Sequence, residues 1–168
     1  MAAEVRLDPV IMEMTESETL PLLGAYEDYR ILLLEFPHES ILPGSDEMVH
    51  WLMKRKIRPM IAHPERNRSV MADIKKIIPF LNAGCLLQIT SGSLTGVFGR
   101  GPQQVAKTML ERGWVNIIAS DAHNRQTRPP EIELGRAEAE KIVGEEESWV
   151  LVKERPLQIA EQHFTTGL

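Results

Sequence analysis

Short, continuously apolar segments alternate along this chain with longer amphipathic ones, and this alternation narrows the possible folds more than any other feature. Each apolar segment is too short for a buried helix and is hydrophobic on both faces, as parallel strands are. The predicted strands are Tyr29–Phe36, Arg58–Ala62, Cys85–Thr90 and Val115–Ser120. Strand, helix, strand order predicts an α/β fold with a parallel sheet and crossover helices. Two architectures remain open at this point, a doubly wound sheet and a (β/α) barrel.

The segments between these strands carry helix signals. Ser45 is the predicted N-cap of one helix, because two acidic residues follow it in the first turn. Pro79 predicts a kink or a break within an apolar-periodic stretch. The remaining predicted helices are Asp73–Asn82, Gln103–Arg112, Glu131–Val143 and Pro156–Phe164. At the N-terminus we predict a strand at Ala2–Leu7 and then a short helix at Leu7–Met14. A mobile loop is predicted at Ser91–Ser93 and Gly96–Gly101.

Composition excludes several classes of protein. The 168 residues suit one domain spanning 1–168, since domains usually contain ~100–200 residues. The net charge is −5 and no cluster of Lys and Arg marks a nucleic-acid surface, so no nucleic-acid partner is expected. A single cysteine excludes an internal disulfide framework and a cysteine-rich zinc site. Without a membrane-length apolar run or a signal-peptide pattern, we expect a cytoplasmic protein with no membrane insertion.

Acidic and imidazole side chains fall where the predicted strands end. Glu4 lies in the uncertain first strand, Glu35 ends the next, and His63 follows the third. Asp121 and His123 follow the last strand. Parallel strands open at their carboxyl ends onto one face, so these side chains should converge there. Each residue alone has an ordinary explanation, as a loop histidine or an ion-pair partner. Together they predict a divalent-metal site for manganese, iron, zinc or magnesium.

Two arginines flank the same rim. Arg66 follows His63 closely, and Arg128 precedes two prolines that restrict the chain. The planar guanidinium matches phosphate oxygens, although a rim ion pair is the better explanation for either arginine taken alone. A metal pair could clamp a phosphate there and activate a water. Cys85 lies within an apolar strand and is predicted to be an inert core thiol.

Five stretches of the sequence form a combined pattern: IAHPERN (61–67), LQITSGSLTGVFG (87–99), IASDAHNRQTRPP (118–130), LLLEF (32–36) and AAEVRLDP (2–9). Together they resemble the bacterial tyrosine phosphatases of polymerase-and-histidinol-phosphatase (PHP) type from capsule and exopolysaccharide loci. The resemblance implies a distorted (β/α) barrel with a metal cluster, usually manganese, at the strand C-termini. It also implies hydrolysis of phosphotyrosine on the tyrosine-rich tail of an autokinase.

The same resemblance assigns roles to individual residues. Glu4 matches the family's bridging glutamate, and Glu35 and His63 match further metal ligands. Asp121 and His123 match the Asp-x-His ligand pair. The arginines that match those proposed to hold the substrate phosphate are Arg66 and Arg128.

One part of the family pattern does not occur in this sequence. The family begins with a His-x-His strand, and no His-x-His occurs here. We therefore expect a partial barrel without the N-terminal strands, with reduced metal occupancy and exposed strand edges that favour a homo-oligomer. The alternative is a catalytically impaired remnant that acts as a binding or assembly module. A different hydrolase chemistry on the same barrel is a third hypothesis.

Overall fold

The computed structural model describes residues 5–6, 10–16, 18–122 and 130–165. The strands are β1 (Val5–Arg6), β2 (Leu22–Tyr26), β3 (Tyr29–Glu35), β4 (Ile57–Ala62), β5 (Leu86–Thr90) and β6 (Ile117–Ala119). The α-helices are α1 (Val10–Glu16), α2 (Ser45–Met53), α3 (Arg68–Ala72), α4 (Ile78–Asn82), α5 (Ser91–Leu94), α6 (Arg100–Glu111), α7 (Glu133–Val143), α8 (Glu145–Trp149) and α9 (Arg155–Thr165). Two 3₁₀ turns, Pro64–Arg66 and Ile74–Ile77, and a π-helical turn, Val150–Glu154, join them.

The strands form one mostly parallel sheet in the order β1-β3-β4-β5-β6. The exception is β2, which sequence analysis missed and which pairs antiparallel to β3. The register aligns the carboxyl ends of the parallel strands: Glu35 lies beside Ala62, Ala62 beside Gln88, and Thr90 beside Ala119. Side chains that follow these strands therefore share one edge of the sheet.

The two faces of the sheet are covered differently. Leu32 and Leu34 of β3 enter a large core that also receives buried residues from most of the helices. Ile31 and Leu33 point to the other face, where a smaller apolar cluster includes Ile159 of α9. A doubly wound sheet carries helices on both faces, whereas a barrel carries them outside and fills its interior with strand side chains. The distribution here is that of a partial barrel, as predicted.

Local signals placed most of the predicted elements correctly. Two positions differ from the prediction, and one predicted break is confirmed. Gly44, with φ +82°, occupies the N-cap position of α2, while the Ser45 hydroxyl donates to the Leu42 carbonyl at 2.5 Å. The segment around Pro79 divides into a 3₁₀ turn and α4, so the expected break lies just before the proline. The first part of the predicted loop is instead α5, a short buried helix.

The predicted N-terminal strand is present only as β1, and the rest of that segment lies outside the described residues. Within the ranges that the structure describes, no helix is both long and apolar enough to cross a membrane.

A close backbone crossing joins α7 to α5. A Cβ built at Gly135 of α7 would lie 2.6 Å from Ser91 Cα. Because Ser91 Cα is a backbone atom, no change of side-chain rotamer can relieve this contact. Gly135→Ala is therefore expected to lower the free energy of unfolding by about 1–3 kcal/mol through overpacking. Urea denaturation measures the change. Gly101→Ala in α6 is the matched control, because its Cβ meets only the flexible Met71 side chain. Equal stability of the two variants would contradict the tight crossing.

Candidate active site

Glu35 and His63 lie side by side at the carboxyl ends of β3 and β4. Their neighbouring position follows from the register, since Glu35 pairs with Ala62, the residue before His63. His63 Nε2 lies 3.5 Å from Glu35 Oε1, and both side chains are largely buried, at 11% and 27% exposure. One carboxylate and one imidazole thus face each other in a partly buried position.

The backbone at His63 is constrained. Its φ of +33° and ψ of 51° place it in the left-handed region, which non-glycine residues occupy rarely and often at functional sites. Its N–H donates to the Gln88 carbonyl of β5 at 2.8 Å, and its own carbonyl accepts from Arg66 N–H at 3.0 Å. This bend ends β4 abruptly and turns the chain across the edge of the sheet.

Arg66 reaches from this turn to the end of β6. Its Nη1 donates to Asp121 Oδ2 at 2.7 Å, and the Asp121 side chain is only 5% exposed. Asp121 also has a left-handed backbone, with φ +50°. The pair spans β5 and joins two segments 55 residues apart in sequence. A predicted phosphate-binding arginine is therefore held by a predicted metal ligand.

Glu65, which is fully buried, anchors the turn that carries His63 and Arg66. Its Oε1 accepts from Thr90 N–H at 3.0 Å and from Ser93 Oγ at 2.7 Å, fastening the turn to β5 and α5. Its Oε2 is buried with no hydrogen-bond partner among the described residues. Burial raises the pKa of the Glu65 carboxyl above its ordinary value, and the hydrogen bond from Ser93 opposes that rise.

The Glu35–His63 pair fits a divalent metal in donor type and spacing. Two donors on one tetrahedral ion, each at about 2.1 Å, are separated by ~3.4 Å, close to the observed distance between the two side chains. Carboxylate and imidazole together suit manganese, iron or zinc. The predicted residues Glu4, His123 and Arg128 lie outside the described residues. Within those residues, no group of three or more His, Cys, Asp or Glu side chains is arranged to hold a metal ion.

Three candidate nucleophiles, Ser91, Ser93 and Cys85, are engaged in hydrogen bonds or buried. Ser91 Oγ donates to the Glu131 carbonyl at 2.6 Å, and Ser93 Oγ donates to Glu65. Burial raises the pKa of the Cys85 thiol to about 12, which keeps it protonated at neutral pH and confirms the prediction of an inert core cysteine. None of these three side chains is suited to nucleophilic attack.

The sequence and the fold of this chain match known proteins. A family model described as capsular polysaccharide synthesis, CpsB/CapC, matches residues 3–161. The chain belongs to the CpsB/CapC family. The resemblance inferred from the sequence motifs is thereby confirmed.

Curated relatives of this CpsB/CapC protein are named as tyrosine phosphatases. It is 31% identical over 140 residues to tyrosine-protein phosphatase YwqE of Bacillus subtilis (strain 168), covering 83% of this chain and 55% of YwqE. It is 27% identical over 162 residues to tyrosine-protein phosphatase CpsB of Streptococcus pneumoniae, covering 94% of this chain and 65% of that protein. The chain thus spans between half and two thirds of the length of these relatives.

A solved structure confirms the fold. It comes from crystal structures of YwqE from Bacillus subtilis and CpsB from Streptococcus pneumoniae, described as unique metal-dependent tyrosine phosphatases. The TM-score is 0.85 at 27% identity, over 96% of this chain and 64% of the solved chain. The predicted partial barrel of the CpsB/CapC protein is confirmed by this match.

Sequence reasoning assigned no role to two residues that shape the site. Glu65 stands between two predicted site residues, yet no periodic pattern marked it as buried; the preceding Pro64, which starts a tight turn, was the available signal. Phe98 stands over Arg66, with the Arg66 Cζ 4.3 Å from its ring centroid. Its signal was a lone aromatic residue within a glycine-rich stretch.

Proposed function

We propose that this chain is a metal-dependent phosphatase that hydrolyses phosphotyrosine in protein substrates. The observation that carries the proposal is the convergence at one sheet edge of Glu35, His63, Arg66 and Asp121, from the ends of three strands. Support comes from the names of the relatives and from the description of the solved structure as metal-dependent. The finer proposal is a manganese cluster in which Glu35 and His63, with Glu4, hold one ion. Asp121, whose Oδ2 binds Arg66, and His123 would serve further metal positions.

The residues have separate tasks in this proposal. A divalent cation, when bound, supplies charge neutralisation and lowers the pKa of water. Arg66, joined by Arg128, binds the phosphate oxygens and orients the monoester, while Asp121 holds the Arg66 guanidinium in place. Water supplies the attacking oxygen in this proposal, and the proton that it releases ends on the phenolic oxygen of the leaving tyrosine side chain. A new P–O bond forms as the phosphorus–phenolic oxygen bond breaks, and tyrosine and inorganic phosphate are the products.

The proposed partner is a phosphotyrosine-bearing protein, specifically the tyrosine-rich tail of an autokinase that controls capsule or exopolysaccharide synthesis. The chain's membership in a capsular polysaccharide synthesis family supports a role in that pathway. The proposed location is the cytoplasm, where such a tail would be accessible. Self-association of the chain stays a prediction.

Metal dependence provides the direct test. With added Mn²⁺, the purified chain is expected to hydrolyse p-nitrophenyl phosphate, and prior chelation should abolish the activity. His63→Ala should raise the Mn²⁺ concentration needed for half-maximal activity by at least about tenfold, because it removes one ligand. His50→Ala is the matched control, since His50 lies exposed on α2 and bonds only its own helix. Equal metal response in the two variants would refute this ligand assignment.

Turnover and binding separate the main proposal from its alternative. Hydrolysis by the wild-type chain above the level of the His63→Ala variant supports the phosphatase. Binding of a phosphotyrosine peptide without any turnover, at saturating Mn²⁺, would instead support the non-catalytic binding module.

A further inference from the structure

The Arg66 guanidinium is held on two sides by described residues. Its Nη1 edge donates to Asp121, as described above. One of its faces lies against Phe98, with Cζ 4.3 Å from the ring centroid, a cation–π stack. The hydrogen bond limits the direction of the group, and the stack limits rotation of its plane. The hydrogen bond and the stack together also fix the direction of the Arg66 N–H groups that do not bond to Asp121.

Backbone hydrogen bonds hold the loop that carries Phe98, residues 95–99, both internally and to α5. Val97 N–H donates to the Gly92 carbonyl at 2.9 Å, and Gly99 N–H donates to the Gly96 carbonyl at 2.9 Å. Gly96 and Gly99 have φ of +83° and +91°, a region that side chains other than glycine occupy only with strain. The backbone on both sides of Phe98 is therefore shaped by glycine.

Gly92 leaves the space that the ring occupies. A Cβ built there would lie 3.0 Å from Phe98 Cε2, so a side chain at this position would push the ring away. Gln103 supports the loop from α6 by donating from Nε2 to the Leu94 carbonyl at 3.0 Å. The loop thus presents Phe98 in one place, against Arg66. Its neighbour Val97 is 73% exposed and makes no such stack.

We propose that Phe98 is a positioning residue for the phosphate of the substrate, acting through Arg66. Its ring holds the guanidinium plane so that the N–H groups not bonded to Asp121 meet a phosphomonoester dianion as a planar fork. This inference rests on the proposed function, because it explains how the proposed phosphatase site would orient a phosphate group. An arginine without the stack would still carry charge but would sample several rotamers before binding.

Steady-state kinetics on the full chain with Mn²⁺ test this role. Phe98→Leu is expected to lower kcat/KM for p-nitrophenyl phosphate about tenfold and to weaken competitive inhibition by inorganic phosphate by a similar factor. Phe98→Tyr keeps the aromatic face and should restore both values to within about twofold of wild type. Val97→Ala, an exposed exchange in the same loop, should leave both unchanged.

A double-mutant cycle separates positioning from simple structural support. If Phe98 acts through Arg66, Phe98→Leu should have no further effect in the Arg66→Ala background. Independent, multiplicative losses would overturn the proposal, as would an unchanged Phe98→Leu variant or a Phe98→Tyr variant as impaired as Phe98→Leu. Circular dichroism confirms that each variant folds.

Phosphate binding, measured by calorimetry, distinguishes failure of this inference from failure of the proposed function. Wild-type chain that binds inorganic phosphate without turnover would refute the phosphatase, and the comparison with Phe98→Leu would still decide the role of Phe98. Wild-type chain that neither binds phosphate nor turns over would overturn both.

Discussion

Replacing Arg66 by alanine is expected to lower kcat/KM for an aryl phosphate by about 10²- to 10³-fold, the loss typical when a preorganised donor to transition-state charge is removed. Arg66 is the described arginine at the site edge, and its guanidinium is already oriented by Asp121 and Phe98. Little reorganisation is then needed when the phosphate binds, so the loss on removing the group should be large. Steady-state hydrolysis of p-nitrophenyl phosphate with Mn²⁺ measures it.

Two further variants serve as comparisons for the Arg66→Ala prediction. Arg66→Lys keeps the charge but lacks the planar fork, so it should recover only part of the lost activity. Arg68→Ala is the control, since Arg68 lies two residues away and its ion pair with Glu39 is exposed on both sides. An Arg66→Ala variant within twofold of wild type would contradict a role in phosphate binding. Equal losses at Arg66 and Arg68 would indicate a general effect of charge.

Replacing Glu65 by alanine is expected to lower the free energy of unfolding by about 2–4 kcal/mol, because buried donors left without an acceptor cost about 1–3 kcal/mol each. The two donors are Thr90 N–H and the Ser93 hydroxyl, both in buried residues. Release of the buried carboxyl offsets part of this cost. The variant should also lose activity, since the turn carrying His63 and Arg66 would no longer be fastened to β5. Urea denaturation and the p-nitrophenyl phosphate assay provide the two measurements.

Glu65→Gln is the matched variant. The amide oxygen can accept both hydrogen bonds, so we expect a cost of no more than about 1–2 kcal/mol from the unpaired amide N–H groups. Glu39→Ala, at an exposed carboxylate, should change the free energy of unfolding by less than about 0.5 kcal/mol. If Glu65→Ala is as stable as wild type, the turn does not depend on this anchor.

The sequence predicted the site only in part. Glu35, His63, Arg66 and Asp121 could be placed at one edge because each follows a recognisable strand and parallel strands share an orientation. Which side chains would pair could not be predicted, since the arginine expected to hold phosphate is bonded to an expected metal ligand. That contact joins residues distant in sequence, and no local pattern encodes it. The catalytic and metal-binding roles of these four residues stay predictions, as do those of Glu4, His123 and Arg128.

The sequence itself determined the strands β3 to β6, the α/β class and the edge where polar residues collect. Apolar runs and helical periodicity are local properties of the chain. Tertiary structure decided that most helices pack on one face of the sheet while α9 packs on the other. It also decided the pairing of the antiparallel strand β2 and the burial of Glu65. Each depends on contacts between segments separated by many residues, whose energies are absent from any short window of sequence. The stack of Phe98 on Arg66 was likewise decided by tertiary structure. The glycines at 92, 96 and 99 permit the position of the ring, but only the packed chain brings the arginine against it.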